Sequence, residues 1–104
     1  MNKAELVDGI ISKTGWSKRE AEDAVRAFVD TVTDAVAAGD KVTLPGFGTF
    51  EKRDRAARTA RNPQTGDPIK LKKTTVPAFR PGSAFKSYVA MSKKDQAAYR
   101  KGRG

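Results

Sequence analysis

Arg53-Asp54-Arg55-Ala56-Ala57-Arg58-Thr59-Ala60-Arg61-Asn62-Pro63-Gln64-Thr65-Gly66-Asp67-Pro68-Ile69-Lys70-Leu71-Lys72-Lys73 is the stretch on which the fold of this chain turns. It holds seven cations, and its large apolar residues are Ile69 and Leu71 alone. Segments richer in apolar side chains flank it. A stretch with so little to bury cannot build a core. It reads instead as an arm, over about residues 53–74, that touches something negative. At its middle Asn62-Pro63-Gln64-Thr65-Gly66 is turn chemistry, in which Pro63 fixes φ and Gly66 accepts a positive φ. The segments on either side are then expected to pair as a two-stranded ribbon. Along a continuous ribbon Arg53, Arg55 and Arg61 share one face and Arg58 takes the other. Two strands alone are only marginally stable in water. The arm is therefore expected to be mobile when free and to order on its ligand.

Outward from the arm, the charge is segregated. The chain has 104 residues and a net charge of +9. Residues 1–40 carry 5 Lys/Arg against 8 Asp/Glu, and residues 41–104 carry 16 against 4. Solubility requires no such separation, whereas a polyanion-binding surface gathers its cations on one part of the fold. The basic stretch lacks the Trp/Phe/Leu face of an interfacial helix, which argues against an anionic membrane as partner. The absence of Cys and His removes thiol nucleophiles, imidazole bases, disulfides and the usual zinc ligands, and fits a reducing cytosol. No arrangement of Ser, Lys and Asp supplies a catalytic base or a metal site, so neither an enzyme nor a cofactor is expected, and no small-molecule substrate. Met1-Asn2-Lys3-Ala4-Glu5-Leu6 lacks the apolar run of a signal peptide. No apolar run is long enough to span a membrane.

The flanking segments alternate between helical and strand periodicity. Asn2 and Glu5 have capping-box spacing ahead of Leu6, Val7, Ile10 and Ile11, which predicts a helix over 3–13 ended at Gly15. Ser17 and Glu20 form a full capping box. Ala21, Val25, Phe28, Val32 and Ala35 then predict a helix over 18–38, with Trp16 at the staple position and Gly39 beyond the end. Its wide apolar stripe, in so small a body, points to a second chain. Residues 40–44 and 48–55 read as strands joined at Pro45-Gly46, with Gly46 and Gly48 allowing a tight turn and a close backbone approach. Residues 74–79 read as a third strand in which Pro77 favours an edge position. Pro81 is expected to open a helix over 82–89. Phe28, Phe47, Phe50, Phe79 and Phe85 fall at core spacing. Lys41 and Lys52 read as edge-strand protection. In residues 91–104 Ser92 could cap a short helix, but Gly102 and Gly104 suggest a frayed end.

Gly46-Phe47-Gly48-Thr49-Phe50, Arg55, Arg58 and Ala60, Arg61-Asn62-Pro63-Gln64-Thr65-Gly66 and Val76-Pro77-Ala78-Phe79 together resemble the bacterial HU and integration host factor family over roughly residues 1–90. The resemblance implies an α+β intertwined homodimer: a helical base, a three-stranded sheet per chain forming a saddle, and an extended β-ribbon arm. It implies an architectural, largely sequence-independent protein of the bacterial cytoplasm and nucleoid that bends and compacts double-stranded DNA through the minor groove. A sequence-specific bender resembling integration host factor is one alternative, and an RNA-binding protein is the other. The DNA-binding residues so implied are Lys3, Arg55, Arg58, Arg61, Asn62, Pro63, Gln64, Arg80 and Lys86, and the basic composition of the arm adds Arg53, Lys70, Lys72 and Lys73. The residues alone leave Pro63 with two readings, a turn proline or a rigid wedge. The wedge comes from the resemblance, since this family is a known example of minor-groove benders that kink a base step. The pattern departs at Ser83, a position commonly Lys in the family, and in a basic extension over 91–104. That extension reads either as added DNA contact, which is favoured, or as a solubility tail.

Overall fold

In the computed structural model, residues 1–103 are described, apart from the side chains of Arg58 and Leu71. The chain divides into two units, Met1–Ala35 and Val36–Gly104.

The first unit is helical. α1 (Lys3–Thr14) starts where Asn2 Oδ1 accepts a hydrogen bond from the Glu5 N–H at 2.9 Å, and it ends where Gly15 turns left-handed at φ +74°. A residue with a Cβ adopts that φ at a cost, so glycine ends the helix cleanly. α2 (Lys18–Ala37) begins on the reciprocal capping box. Ser17 Oγ accepts from the Glu20 N–H at 3.1 Å, and Glu20 Oε1 accepts from the Ser17 N–H at 2.9 Å. The backbone N–H of Ser17, helped by its hydroxyl, holds the Glu20 carboxyl below the usual range. Val7 and Ala21 are this unit's buried apolar residues. Trp16 and Phe28 are about half exposed.

The second unit holds the sheet. β1 (Val42–Leu44), β2 (Gly48–Arg55) and β5 (Thr74–Pro81) form an antiparallel sheet in the order β1-β2-β5. β5 is an edge, as Pro77 requires. Phe50 lies opposite Phe79, and Thr49 opposite Arg80. The pleat therefore separates an aromatic face from a polar one. On the aromatic face the rings of Phe50 and Phe79 are 4.8 Å apart, and Phe47 lies 5.3 Å from Phe79. α3 (Ser83–Ala90) closes on the same cluster through Phe85, whose ring is 5.0 Å from Phe47 and whose N–H donates to Gly46 O at 3.0 Å. Pro81 ends β5 and does not open α3; Gly82 is the N-cap, with no side-chain cap. The Gly82 N–H donates to Phe47 O at 2.8 Å, continuing the β2–β5 pairing one residue past Pro81 and holding the chain extended there.

Among the described residues the extension is helical up to Arg103 where a frayed end was expected, and Gly104, on which that expectation also rested, lies outside them. α4 (Lys93–Arg103) is a helix that runs through Gly102, with Ser92 Oγ accepting from the Asp95 N–H at 3.2 Å. It is held on α3. Gln96 Nε2 donates to Met91 O at 3.1 Å and Tyr88 O at 3.2 Å, two carbonyls at the end of α3. Tyr88 and Tyr99 pack with centroids 4.8 Å apart, and Arg100 donates to the Tyr88 hydroxyl at 2.8 Å. Gly102 lies one residue from the end of α4, so its penalty is less than the roughly 1 kcal/mol of an interior Gly relative to Ala, and this docking offsets it.

Candidate nucleic-acid interface

The arm leaves the sheet as a separate element. β3 (Arg58–Arg61) and β4 (Pro68–Leu71) pair antiparallel with each other, and the three-stranded sheet does not continue into them. The alternation expected from Arg53 through Arg61 is therefore interrupted at Ala56 and Ala57, which belong to no strand. Arg53 and Arg55 share the polar face of β2. Arg61 and Lys70 share a face of the ribbon, with Ala60 and Ile69 on its other side. Arg58 pairs with Leu71 in the backbone register.

The tip is closed by local hydrogen bonds. Asn62 Oδ1 accepts from the Gln64 N–H at 2.9 Å, and Asn62 O accepts from the Gly66 N–H at 2.7 Å. The Asn62 N–H donates to Asp67 O at 2.8 Å, and Gly66 takes φ +76°. Asn62 thus shapes the turn through its Oδ1 and its backbone. Pro63 and Gln64 are exposed at its apex. Proline has no N–H to satisfy, so Pro63 presents a rigid apolar ring outward. Lys72 and Lys73 are exposed in the return to β5.

A second group of cations lies on the polar face of the sheet. Glu51, 7% exposed, sits at its centre. Its Oε1 accepts from Arg53 Nη2 at 3.0 Å and its Oε2 from Arg80 Nη2 at 3.2 Å, while Lys41 Nζ lies 3.8 Å from Oε2. The Arg53 hydrogen bond holds the Glu51 carboxyl below the usual range; burial opposes it, and the charges of Arg80, Arg53 and Lys41 reinforce it. Of the expected residues, then, Arg53 and Arg80 meet at one carboxylate. Arg61, Asn62, Pro63, Gln64 and Lys70 belong to the ribbon. Lys86 is exposed on α3, and Lys3 begins α1 in the other unit. Glu51 and Lys41 were not among the expected site residues. The signal for them was the i,i+2 spacing of Glu51 and Arg53 on one strand face, next to a Lys already assigned to the neighbouring strand. Lys52 points elsewhere, donating to Ala37 O at the end of α2 at 3.3 Å.

Among the described residues no helix is long and apolar enough to cross a membrane. What remains is a small α+β protein with a cationic sheet face and a cationic, proline-tipped ribbon. The family described as bacterial DNA-binding protein matches residues 1–90, and the chain belongs to it. It is 55% identical over 94 residues to DNA-binding protein HU 2 of Streptomyces coelicolor, covering 90% of this chain and 43% of that one. The chain thus spans less than half the length of that relative. It is 53% identical over 88 residues to DNA-binding protein HU of Lactococcus lactis, covering 85% of this chain and 97% of that one. Among solved structures it is similar to Anabaena HU in a cocrystal with DNA, with a TM-score of 0.82 and 46% identity over 88% of this chain and 100% of that one.

Proposed function

We propose that this chain is an architectural DNA-binding protein that acts as a homodimer in the bacterial cytoplasm and nucleoid, and bends duplex DNA with little regard to sequence. The observation that carries this reading is the ribbon of β3 and β4, with Arg61 and Lys70 on one face and an exposed Pro63 at a hydrogen-bonded tip. A cationic ribbon with a rigid apolar tip suits a minor groove opened by a wedge, where Arg reads groove width and A·T content and carries no unique code. The similarity to Anabaena HU, solved with DNA, supports the same assignment. Arg58, Arg61, Lys70, Lys72 and Lys73 belong to the arm with Asn62 and Gln64 at its tip, Arg53, Arg55 and Arg80 lie on the polar face of the sheet at its root, and Lys3 and Lys86 reach phosphates from the body. Neutralising on the order of 6–10 phosphates would lower affinity by about 10³–10⁵ between 50 and 200 mM salt. Pro63 is the wedge, and unstacking one base step costs a few kcal/mol, which the wrapped contacts offset.

The test is a mobility-shift and bend-angle series on linear, nicked and kinked duplexes, with wild type and Pro63→Ala. Wild type should prefer nicked and kinked DNA, because part of the bending energy is already spent. Pro63→Ala should keep the salt slope and lose most of the bend and of that preference. A Pro63→Ala protein that bends linear DNA as sharply as wild type would show that the wedge lies elsewhere. Competition with duplex RNA belongs in the same series. The minor groove of A-form RNA is wide and shallow and offers the ribbon no narrow groove to grip, so RNA should compete poorly.

A further inference from the structure

We propose that Glu51 is a positioning residue for polyanion binding, an acid placed under the cationic sheet face to hold Arg53 and Arg80 in a phosphate-ready arrangement. The inference rests on the DNA-binding reading above and assigns a role to the carboxylate at the centre of that surface.

The geometry is specific. Glu51 lies on the central strand. Thr49, Glu51 and Arg53 share its polar face by the pleat. The β2–β5 register sets Ala78 opposite Glu51 and Arg80 opposite Thr49, so Arg80 approaches from the diagonal. Continuing the β1–β2 register one residue beyond Val42↔Phe50 sets Lys41 beside Glu51 on the other flank. One carboxylate is thus approached by Arg53 on its own strand, by Arg80 on β5 and by Lys41 just ahead of β1. The Glu51 side chain is 9% exposed, whereas those of Arg53, Arg80 and Lys41 are 59%, 60% and 66% exposed. The acid lies beneath and the cations lie above it, toward solvent.

Net attraction does not account for such an acid. A negative charge in the middle of a cationic face weakens its hold on a polyanion. A buried ion pair is also weak evidence for stability, because desolvation consumes much of the Coulomb gain. What the carboxylate does supply is order. Each arginine gives one terminal nitrogen to Glu51 and keeps other N–H donors of its planar fork. Two long side chains that would otherwise lose rotamer freedom on binding are already fixed, so less is lost when phosphate arrives. The three cations exceed the single acid in charge, and the patch stays attractive.

Simple charge counting and positioning predict opposite signs for Glu51→Gln, which removes one negative charge and barely changes shape. Charge counting predicts tighter DNA binding. Positioning predicts weaker binding despite the higher net charge, by about tenfold if two side chains per chain must now be ordered on contact. Affinity for a linear duplex is measured at fixed salt, with wild type, E51Q, R53A/R80A and the triple variant, each shown folded by circular dichroism. E51Q should weaken binding in the wild-type background and not in R53A/R80A, because the carboxylate acts through those two arginines. Equal weakening in both backgrounds, or E51Q binding as tightly as wild type or more so, overturns the proposal. A second measurement needs no variant: without DNA, the guanidinium groups of Arg53 and Arg80 should be more ordered by NMR relaxation than that of exposed Arg19. Equal mobility overturns it as well. A wild-type protein that does not bind duplex DNA would instead remove the DNA-binding reading, and this inference with it.

Discussion

Gly48 marks the tightest point of the sheet. A Cβ at this position would lie 2.5 Å from two ring carbons of Phe79 and 2.7 Å from the backbone oxygen of Arg80. The ring cannot simply swing away, since it is packed against Phe50 and Phe47, and the carbonyl belongs to the paired strand. Gly48→Ala should therefore destabilise the fold by about 1–3 kcal/mol, the usual cost of overpacking. Urea unfolding would check this, and a change within about 0.5 kcal/mol of wild type would contradict it. The need for a small residue here was legible in Gly46-Phe47-Gly48, because a glycine between aromatics in a strand marks a close backbone approach. Glu51 was not legible in the same way. Arg80, one of its partners, is 29 residues away, and only the strand register brings the two together. Local pattern reports turns and caps well; it does not report which charges meet across a sheet.

At the scale of the element, the tip of the arm and the extension are opposite cases. The turn at Asn62–Gly66 closes through bonds among residues 62–67, so the sequence could state it in full. α4 depends on contacts with α3, and its glycines pointed the other way. Tyr88, Tyr99, Gln96 and Arg100 decide the outcome, and tertiary contact of this kind overrides propensity. The docking also sorts the cations of the extension. Arg100 is bound to Tyr88, and Arg103 lies 5.9 Å from the ring centroids of both tyrosines. Lys93, Lys94 and Lys101 remain exposed as candidates for phosphate. Deleting residues 92–104 should thus act twice. The melting temperature should fall, because Tyr88 loses its cover and the end of α3 loses the Gln96 donor. The slope of log affinity against log salt should also fall, by about 1–3 per chain at 0.9 per lost contact. Replacing Lys93, Lys94 and Lys101 by Gln should reproduce the change in slope without the loss of stability. An unchanged slope in both variants would make α4 a structural cover with no part in binding.

For the molecule as a whole, the deciding quantity is how little one chain buries. Among the described residues the buried apolar side chains are Val7, Ala21 and Val36. Phe28, Val29, Phe47, Phe79 and Val89 each keep between 37% and 62% of their surface exposed. Since each is already about half covered, a partner that covered the rest would gain about half of the 1.5–3 kcal/mol of a full burial for each one, and five together approach the stability of a marginal small domain. The wide stripe of α2 already implied this in the sequence. What the periodicity could not say is that the aromatic face of the sheet is left uncovered too. A second copy is the simplest cover, and it would also double the arms and the cationic faces, as bending a duplex from two sides requires. Folding and association should then be one step. A tenfold rise in protein concentration adds about 1.4 kcal/mol to such an equilibrium, which should raise the melting temperature by roughly 3–5 °C for a unit of about 200 residues. Calorimetry from micromolar to hundred-micromolar protein, with sedimentation at the same concentrations, measures this directly. A melting temperature independent of concentration, together with a monomeric mass, would mean that a lone chain is stable with its aromatic face in water, and the two-armed account of bending would have to be given up.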